Sequence, residues 1–179
     1  MIYVALLRGI NVGGNNKVDM KRLKAAFERV GLKKVVTYIN SGNIIFEDTD
    51  IPYAKLADLL ERVIKEEFGL DIRVLLKSLD TMKTIVGALP KEWQNSDEMK
   101  CDVLFLWDEI NTPEIMTQLT FKDFEQVKYV AGALLWSVER KNATRSSLPK
   151  IVGTAMYKKM TIRNCNTARK LLGMMENLQ

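Results

Sequence analysis

Apolar positions recur along the chain at two periods, and the switch between them marks out the elements. Ile2-Tyr3-Val4-Ala5-Leu6-Leu7 is an unbroken apolar run closed by Arg8 and Gly9. A run of that length without alternation reads as a strand covered on both faces. From Met20 the spacing becomes helical: Met20, Leu23, Ala26, Phe27 and Val30 share a stripe, Asp19 precedes it as a cap and Gly31 stops it. Val35 to Asn40 and Asn43 to Phe46 read as two strands folded around Ser41-Gly42. A second helix starts near Pro52, carries Leu56, Leu59, Leu60, Val63 and Ile64, and ends at Gly69. Ile72 to Leu76 supplies a fourth strand. The order β-α-β-β-α-β is that of the split βαβ, or ferredoxin-like, unit.

The same order recurs in the second half. Cys101 to Trp107 reads as a strand, Pro113 to Leu119 as a short helix, and Phe124 to Val130 with Leu134 to Arg140 as a hairpin turning at Gly132. Ser147 to Tyr157 reads as a helix and Met160 to Arg163 as a short strand. A last helix starts at Asn164 or Asn166 and carries Ala168, Leu171, Leu172 and Met175. Between the halves, Leu79 to Met99 begins helically (Met82, Ile85, Val86, Leu89) and ends in the breaker-rich Pro90 to Asp97. The expected class is α+β: two tandem ferredoxin-like units with antiparallel sheets, over 1–78 and 100–179. A helical connector over 79–99 joins them, and a C-terminal helix is added. The first strand of each half is apolar on both faces, so the sheet face without helices should be buried too, most simply by the other lobe or the connector. That argues against an open RNA-binding sheet. The third strand, Asn43-Ile44-Ile45-Phe46, also lacks the RNA-recognition signature.

Composition narrows the chemistry. The chain has 179 residues and no histidine, which removes Ser-His and Cys-His nucleophile pairs and His-ligated zinc. Proton transfer near neutral pH would need a shifted carboxylate, lysine or tyrosine. The two cysteines, Cys101 and Cys165, form neither a CxxC pair nor a disulfide framework. Cys165 lies near a helix N-terminus, a setting that can lower a thiol's pKa, whereas Cys101 reads as a small core residue. No secretory signal is visible, and the longest later apolar run, Val130 to Val138, is about half of what a membrane helix needs. A soluble, cytoplasmic chain without a membrane partner is expected, with a monomer favoured. No metal-ligating set stands out, and no cofactor is specified.

Net charge is a mild +5, but it is uneven. The stretch between Glu139 and Glu176 holds basic residues (Arg140, Lys141, Arg145, Lys150, Lys158, Lys159, Arg163, Arg169, Lys170) and no acidic one. Such stretches mark either an anion-binding surface or a solvated helix face.

Three motifs carry the candidate chemistry. Arg8-Gly9-Ile10-Asn11-Val12-Gly13-Gly14-Asn15-Asn16-Lys17 is a loop whose backbone N–H groups could cradle an anion, with Arg8 and Lys17 adding charge. It matches neither a Walker loop nor a dinucleotide fingerprint, and glycine and asparagine also serve plain tight turns. Thr37-Tyr38-Ile39-Asn40-Ser41-Gly42-Asn43 is the second. In a split βαβ unit the first and second strands run the same way, so this hairpin tip should sit beside the first loop. The two would make one pocket with convergent polar groups. The third, Thr161-Ile162-Arg163-Asn164-Cys165-Asn166-Thr167, leads a strand into a helix N-terminus, a place suited to an anion or simply a well-formed cap. The candidate ligand-binding residues are Arg8, Gly9, Asn11, Gly13, Gly14, Lys17, Tyr38, Ser41, Gly42, Asn43, Arg163 and Asn164.

The LLRGINVGG, TYINSGN and TIRNCNT stretches together resemble an uncharacterised bacterial family, domain of unknown function 1697. The resemblance implies two tandem ferredoxin-like units and carries no activity with it. The family pattern usually has an aromatic residue where this chain has Cys165. Three functional classes stay open. The first is an anion-binding module for a phosphorylated small molecule or nucleic acid. The second is an enzyme acting on an anionic substrate, with Ser41, Tyr38 or a lysine at work. The third is a protein-interaction or structural module.

Overall fold

A computed structural model describes residues 1–48 and 50–179. Its elements are β1 (Ile2–Leu7), α1 (Met20–Arg29), β2 (Lys33–Tyr38), β3 (Asn43–Glu47), α2 (Tyr53–Phe68), β4 (Val74–Ser78), α3 (Leu79–Gly87) and β5 (Met99–Leu106). They continue with α4 (Ile115–Gln118), β6 (Gln126–Val130), β7 (Ala133–Glu139), α5 (Leu148–Val152), β8 (Met160–Asn164) and α6 (Cys165–Glu176). Two four-stranded antiparallel sheets result, ordered β2-β3-β1-β4 and β6-β7-β5-β8. The same permutation occurs twice, so the tandem ferredoxin-like reading holds for both halves. Contacts group the residues into two compact units, Met1–Leu79 with Leu171–Gln179, and Asp80–Lys170.

In the first unit Asp19 caps α1 by accepting from the Arg22 backbone N–H, and Leu23, Ala26 and Phe27 turn inward. Gly69 ends α2 in the left-handed region, where a side chain would be strained. These helices pack on the sheet face that carries Ala5, Leu7, Ile44, Phe46 and Leu76. The opposite face carries Val4, Leu6 and Ile45, which are fully buried as well. In the second unit the packed face holds Leu104, Leu106, Leu134, Trp136 and Val138, with Leu148 and Ile151 from α5. Cys101, Val103, Phe105 and Leu135 on the other face are equally buried. Both sheets are thus covered on both sides, as the unbroken apolar strands require. Among the described residues no helix is long and apolar enough to cross a membrane.

The units repeat one hydrogen-bond pattern. The Leu7 N–H donates to Gly42 O at 2.8 Å and Arg8 N–H to Arg73 O at 3.1 Å. In the second unit Leu106 N–H donates to Gly132 O at 2.9 Å and Trp107 N–H to Lys159 O at 3.0 Å. Each central strand is therefore held at its exit by the neighbouring hairpin tip and by the chain entering the fourth strand.

Several element bounds shift by about two residues, as at β2 (Lys33–Tyr38, expected from Val35 to Asn40) and β6 (from Gln126, expected from Phe124), and two departures have a clear physical cause. The fourth strand pairs from Val74 and not from Ile72, because Ile72 is buried ahead of the ladder that opens at Leu7↔Val74. The expected helix Ser147–Tyr157 is interrupted. α5 stops at Val152, Thr154 is extended, and Ala155–Lys159 forms a separate 3-10 turn. The Thr154 hydroxyl donates to Ile151 O at 2.7 Å, taking up a carbonyl at the helix end.

Candidate functional site

β1 and β2 each pair antiparallel with β3, so they run the same way and end at one edge of the sheet. The Arg8–Lys17 loop and the Asn40–Asn43 hairpin tip meet at that edge. Their junction is built by Asn11. Its Nδ2 donates to Asn40 O at 2.8 Å and to Val18 O at 3.0 Å, and its Oδ1 accepts from Val18 N–H at 2.8 Å. One side chain thus ties the loop's start to its own end and to the hairpin. The second unit repeats the device with other chemistry: Asn111 Oδ1 accepts from Gly132 N–H at 2.7 Å and from the Tyr129 hydroxyl at 3.1 Å.

The glycine loop is itself a small hairpin. Asn15 N–H donates to Val12 O at 2.9 Å, Asn11 N–H to Asn16 O at 3.1 Å, and Asn16 Nδ2 to Gly9 O at 3.0 Å. Gly13 and Gly14 at its tip have φ of 56° and 79°, the two positive angles of a type I′ turn. Two of the N–H groups expected to cradle an anion are therefore spent inside the loop. Gly42 is required for a different reason. Its φ is 86°, and a Cβ there would lie 2.7 Å from Leu7 Cβ and 2.9 Å from Ile10 Cδ1. Only a bare backbone lets the hairpin tip approach the end of β1 this closely.

The hairpin's polar residues are also engaged locally. Asn43 is fully buried, and its Nδ2 donates to Tyr38 O at 3.0 Å and to Ser41 Oγ at 2.9 Å. Ser41 and Tyr38 thereby serve as acceptors that close the turn. Next to them Ile39 has φ of 50°, a region a β-branched residue seldom enters, and its side chain is half exposed.

A cavity of about 420 Å³ opens at the junction, lined by Asn11, Gly14, Lys17, Val18, Asp19, Met20 and Asn40. Of the sequence candidates, Asn11, Gly14 and Lys17 line it, while Gly42 and Asn43 shape the hairpin tip and Gly9 supplies a carbonyl to Asn16. Asn40, part of the second motif, also lines it, whereas Val18, Asp19 and Met20 lie outside the three motifs. Asp19 was legible as the helix cap, which places it at the mouth.

Arg163 and Asn164 lie in the other unit. Arg163 is buried, and its Nη1 donates to Thr161 Oγ1 at 3.0 Å and to Ile162 O at 2.9 Å. Burial pushes its pKa down to about 10. Asn164 Oδ1 accepts from Thr167 N–H at 2.9 Å and so caps α6. A second cavity of about 620 Å³ lies in the same unit, lined by Glu92, Gln94, Ser96, Asp97, Glu98, Met99, Glu139 and Lys141. Four carboxylates against one ammonium make it a poor place for an anion.

The loop, the hairpin and the doubled sheet order have a counterpart among known families. A family model described as Protein of unknown function (DUF1697) matches residues 1–136. The chain belongs to this family. The DUF1697 match takes in the Met1–Leu79 part of the first unit and runs into β7, so the Thr161–Thr167 stretch lies beyond it. No curated protein matches the chain. Among solved structures, that of the conserved bacterial protein SP0830 from Streptococcus pneumoniae is similar at 30% identity, with a TM-score of 0.83. The similarity covers 97% of this chain and 98% of that one. The two-unit architecture of this DUF1697 chain is therefore shared along its full length with that protein.

Proposed function

We propose that the chain is a binding module that holds an anionic group, most simply the phosphate of a small molecule, in the cavity between the glycine loop and the hairpin. One observation carries the reading. The Asn11 brace fixes a concave site of about 420 Å³ with Lys17 among its lining residues, ahead of the first turn of α1. The surrounding sequence is basic, with Arg8, Lys17, Lys21, Arg22, Lys24, Arg29, Lys33 and Lys34 against Asp19 and Glu28 in residues 1–34. The Asp19 carboxylate at the mouth is the unfavourable feature. Its Oδ1 already accepts from Arg22 N–H at 3.0 Å, so it belongs to the helix cap. A small concave site favours a metabolite over a nucleic-acid strand, which would track an open basic surface. Arg8, Gly9, Gly13, Tyr38, Ser41, Gly42 and Asn43 serve this reading as the frame of the site.

The test is thermal unfolding at low salt with inorganic phosphate, ribose 5-phosphate, ATP and a short single-stranded RNA as probes. A phosphorylated probe should raise Tm, Lys17→Ala should abolish the shift and Asp19→Asn should enlarge it. No shift with any probe, or a shift that Lys17→Ala leaves intact, overturns the reading. A second reading has its own observation: Val12 and Ile39, on this loop and this hairpin, are 64% and 50% exposed apolar side chains. They favour a protein partner. A pull-down that survives Lys17→Ala but fails with Val12→Asn would support it.

A further inference from the structure

We propose that Cys101 and Cys165 form a redox-active dithiol, a covalent site in the second unit that small hydroperoxides convert to an intramolecular disulfide. The pair is far apart in sequence and adjacent in space. The β5–β8 ladder runs from Leu106↔Met160 to Asp102↔Asn164. One step past that last rung, Cys101 on β5 faces Cys165, the first residue of α6. Both side chains are fully buried, and each thiol shifts the ionisation of the other.

Their surroundings give the sulfurs different roles. Arg169, one turn along α6, holds Nη1 3.9 Å from Cys165 Sγ. That guanidinium is fixed by the carbonyls of Trp93 and Pro90, the latter 2.9 Å from Nη2. The neighbouring Cys101 thiol and the Arg169 charge bring the Cys165 thiol below its ordinary value, against burial. The same contact, burial and the neighbouring Asp102 carboxylate push Cys101 up. Asp102 is itself paired with Lys100 at 2.8 Å. With the Arg169 guanidinium and the α6 N-terminus beside it, Cys165 is the attacking sulfur and Cys101 the resolving one.

The chemistry balances with a hydroperoxide as oxidant. Cys165 releases its proton, the thiolate bonds to the terminal oxygen as the O–O bond breaks, and the departing alkoxide takes up the released proton as an alcohol. Cys101 sulfur then bonds to the Cys165 sulfenic sulfur as the S–O bond breaks. Hydroxide leaves and takes the Cys101 proton as water. Two thiols and one hydroperoxide give one disulfide, one alcohol and one water. Burial restricts the oxidant to a small one. A second thiol already in contact favours capture of the sulfenic acid before further oxidation. The site is independent of the loop cavity, which lies in the other unit.

The test is to expose the folded full-length chain to hydrogen peroxide, quench it, denature it in N-ethylmaleimide and count adducts by intact mass. Both adducts should be lost together, and dithiothreitol should restore both. Proteolysis should yield a peptide carrying Cys101 disulfide-linked to one carrying Cys165. In Cys101→Ser, dimedone should trap a sulfenic acid at Cys165. The unmodified chain alone can overturn the proposal. Two adducts retained under peroxide that fully oxidises glutathione would do so, as would loss of one adduct only or disulfide-linked dimers.

Discussion

Replacing Gly42 by alanine separates two costs that usually arrive together. At φ of 86° any L side chain is strained, and the added Cβ would sit 2.7 Å from Leu7 Cβ, with Ile10 Cδ1 at 2.9 Å and Cγ1 at 3.0 Å. Leu7 Cβ cannot retreat, because Leu7 pairs with Val74 in the central strand and its backbone N–H is bonded to Gly42 O. Ile10 is fully buried, so its rotamer has little room to change. The left-handed backbone costs about 1–2 kcal/mol and the overpacking a further ~1–3 kcal/mol. Gly69 is the internal control. Its φ is 70° and nothing lies within 4 Å of its added Cβ, so Gly69→Ala should show the backbone cost alone. Both variants should be measured by urea unfolding followed by far-ultraviolet circular dichroism. Trp93, Trp107 and Trp136 all lie in the second unit, so tryptophan fluorescence does not report directly on the first. Gly42→Ala should be the less stable of the two by about 1–3 kcal/mol, a large share of the roughly 5–15 kcal/mol of a typical domain. Equal losses in the two variants would refute the close-approach reasoning.

Glu125 and Ile39 give further predictions. The buried Glu125 carboxylate accepts from Lys122 N–H, Trp136 Nε1, Ser147 N–H and Ser147 Oγ. Burial would raise its pKa, but these four donors together hold it below the ordinary value. Its contribution is therefore complete above the unfolded-state value of about 4.3 and is lost as pH falls through the lower folded-state value. In acid titrations followed by tryptophan fluorescence, Glu125→Gln should flatten that part of the profile. At pH 7 the same variant should lose about 2–3 kcal/mol, because an amide presents its NH₂ to donors. Ile39→Asn should stabilise the first unit by about 1 kcal/mol in urea unfolding, because asparagine tolerates the left-handed region. A loss would mean that Ile39 packs more than its 50% exposure implies.

Much of the fold was legible because its signals are local. Gly69 and Asp19 marked helix ends, Gly132 marked a turn at φ of 98°, and the unbroken Ile2–Leu7 run marked a strand buried on both faces. Topology then carried one step of inference to the site: parallel β1 and β2 bring the glycine loop to the hairpin, and Asn11 bonds the two. The break after Val152 was not legible, because Met156 and Tyr157 pack on the same core from a separate turn and keep the apolar pattern unbroken.

The sequence by itself determined the element order, the doubled β-α-β-β-α-β plan and the place where two polar loops must meet. Those depend on side-chain periodicity and on backbone preferences within a few residues. Only the tertiary structure decided how each polar group is used. Asn11 and Asn43 satisfy backbone carbonyls, Arg163 is turned inward, and two glycines close a turn. The tertiary structure also set Cys101 against Cys165 across a strand ladder. A hydrogen bond or thiol contact is settled by whichever group the fold brings within about 3–4 Å, and a linear pattern does not record partners so distant along the chain.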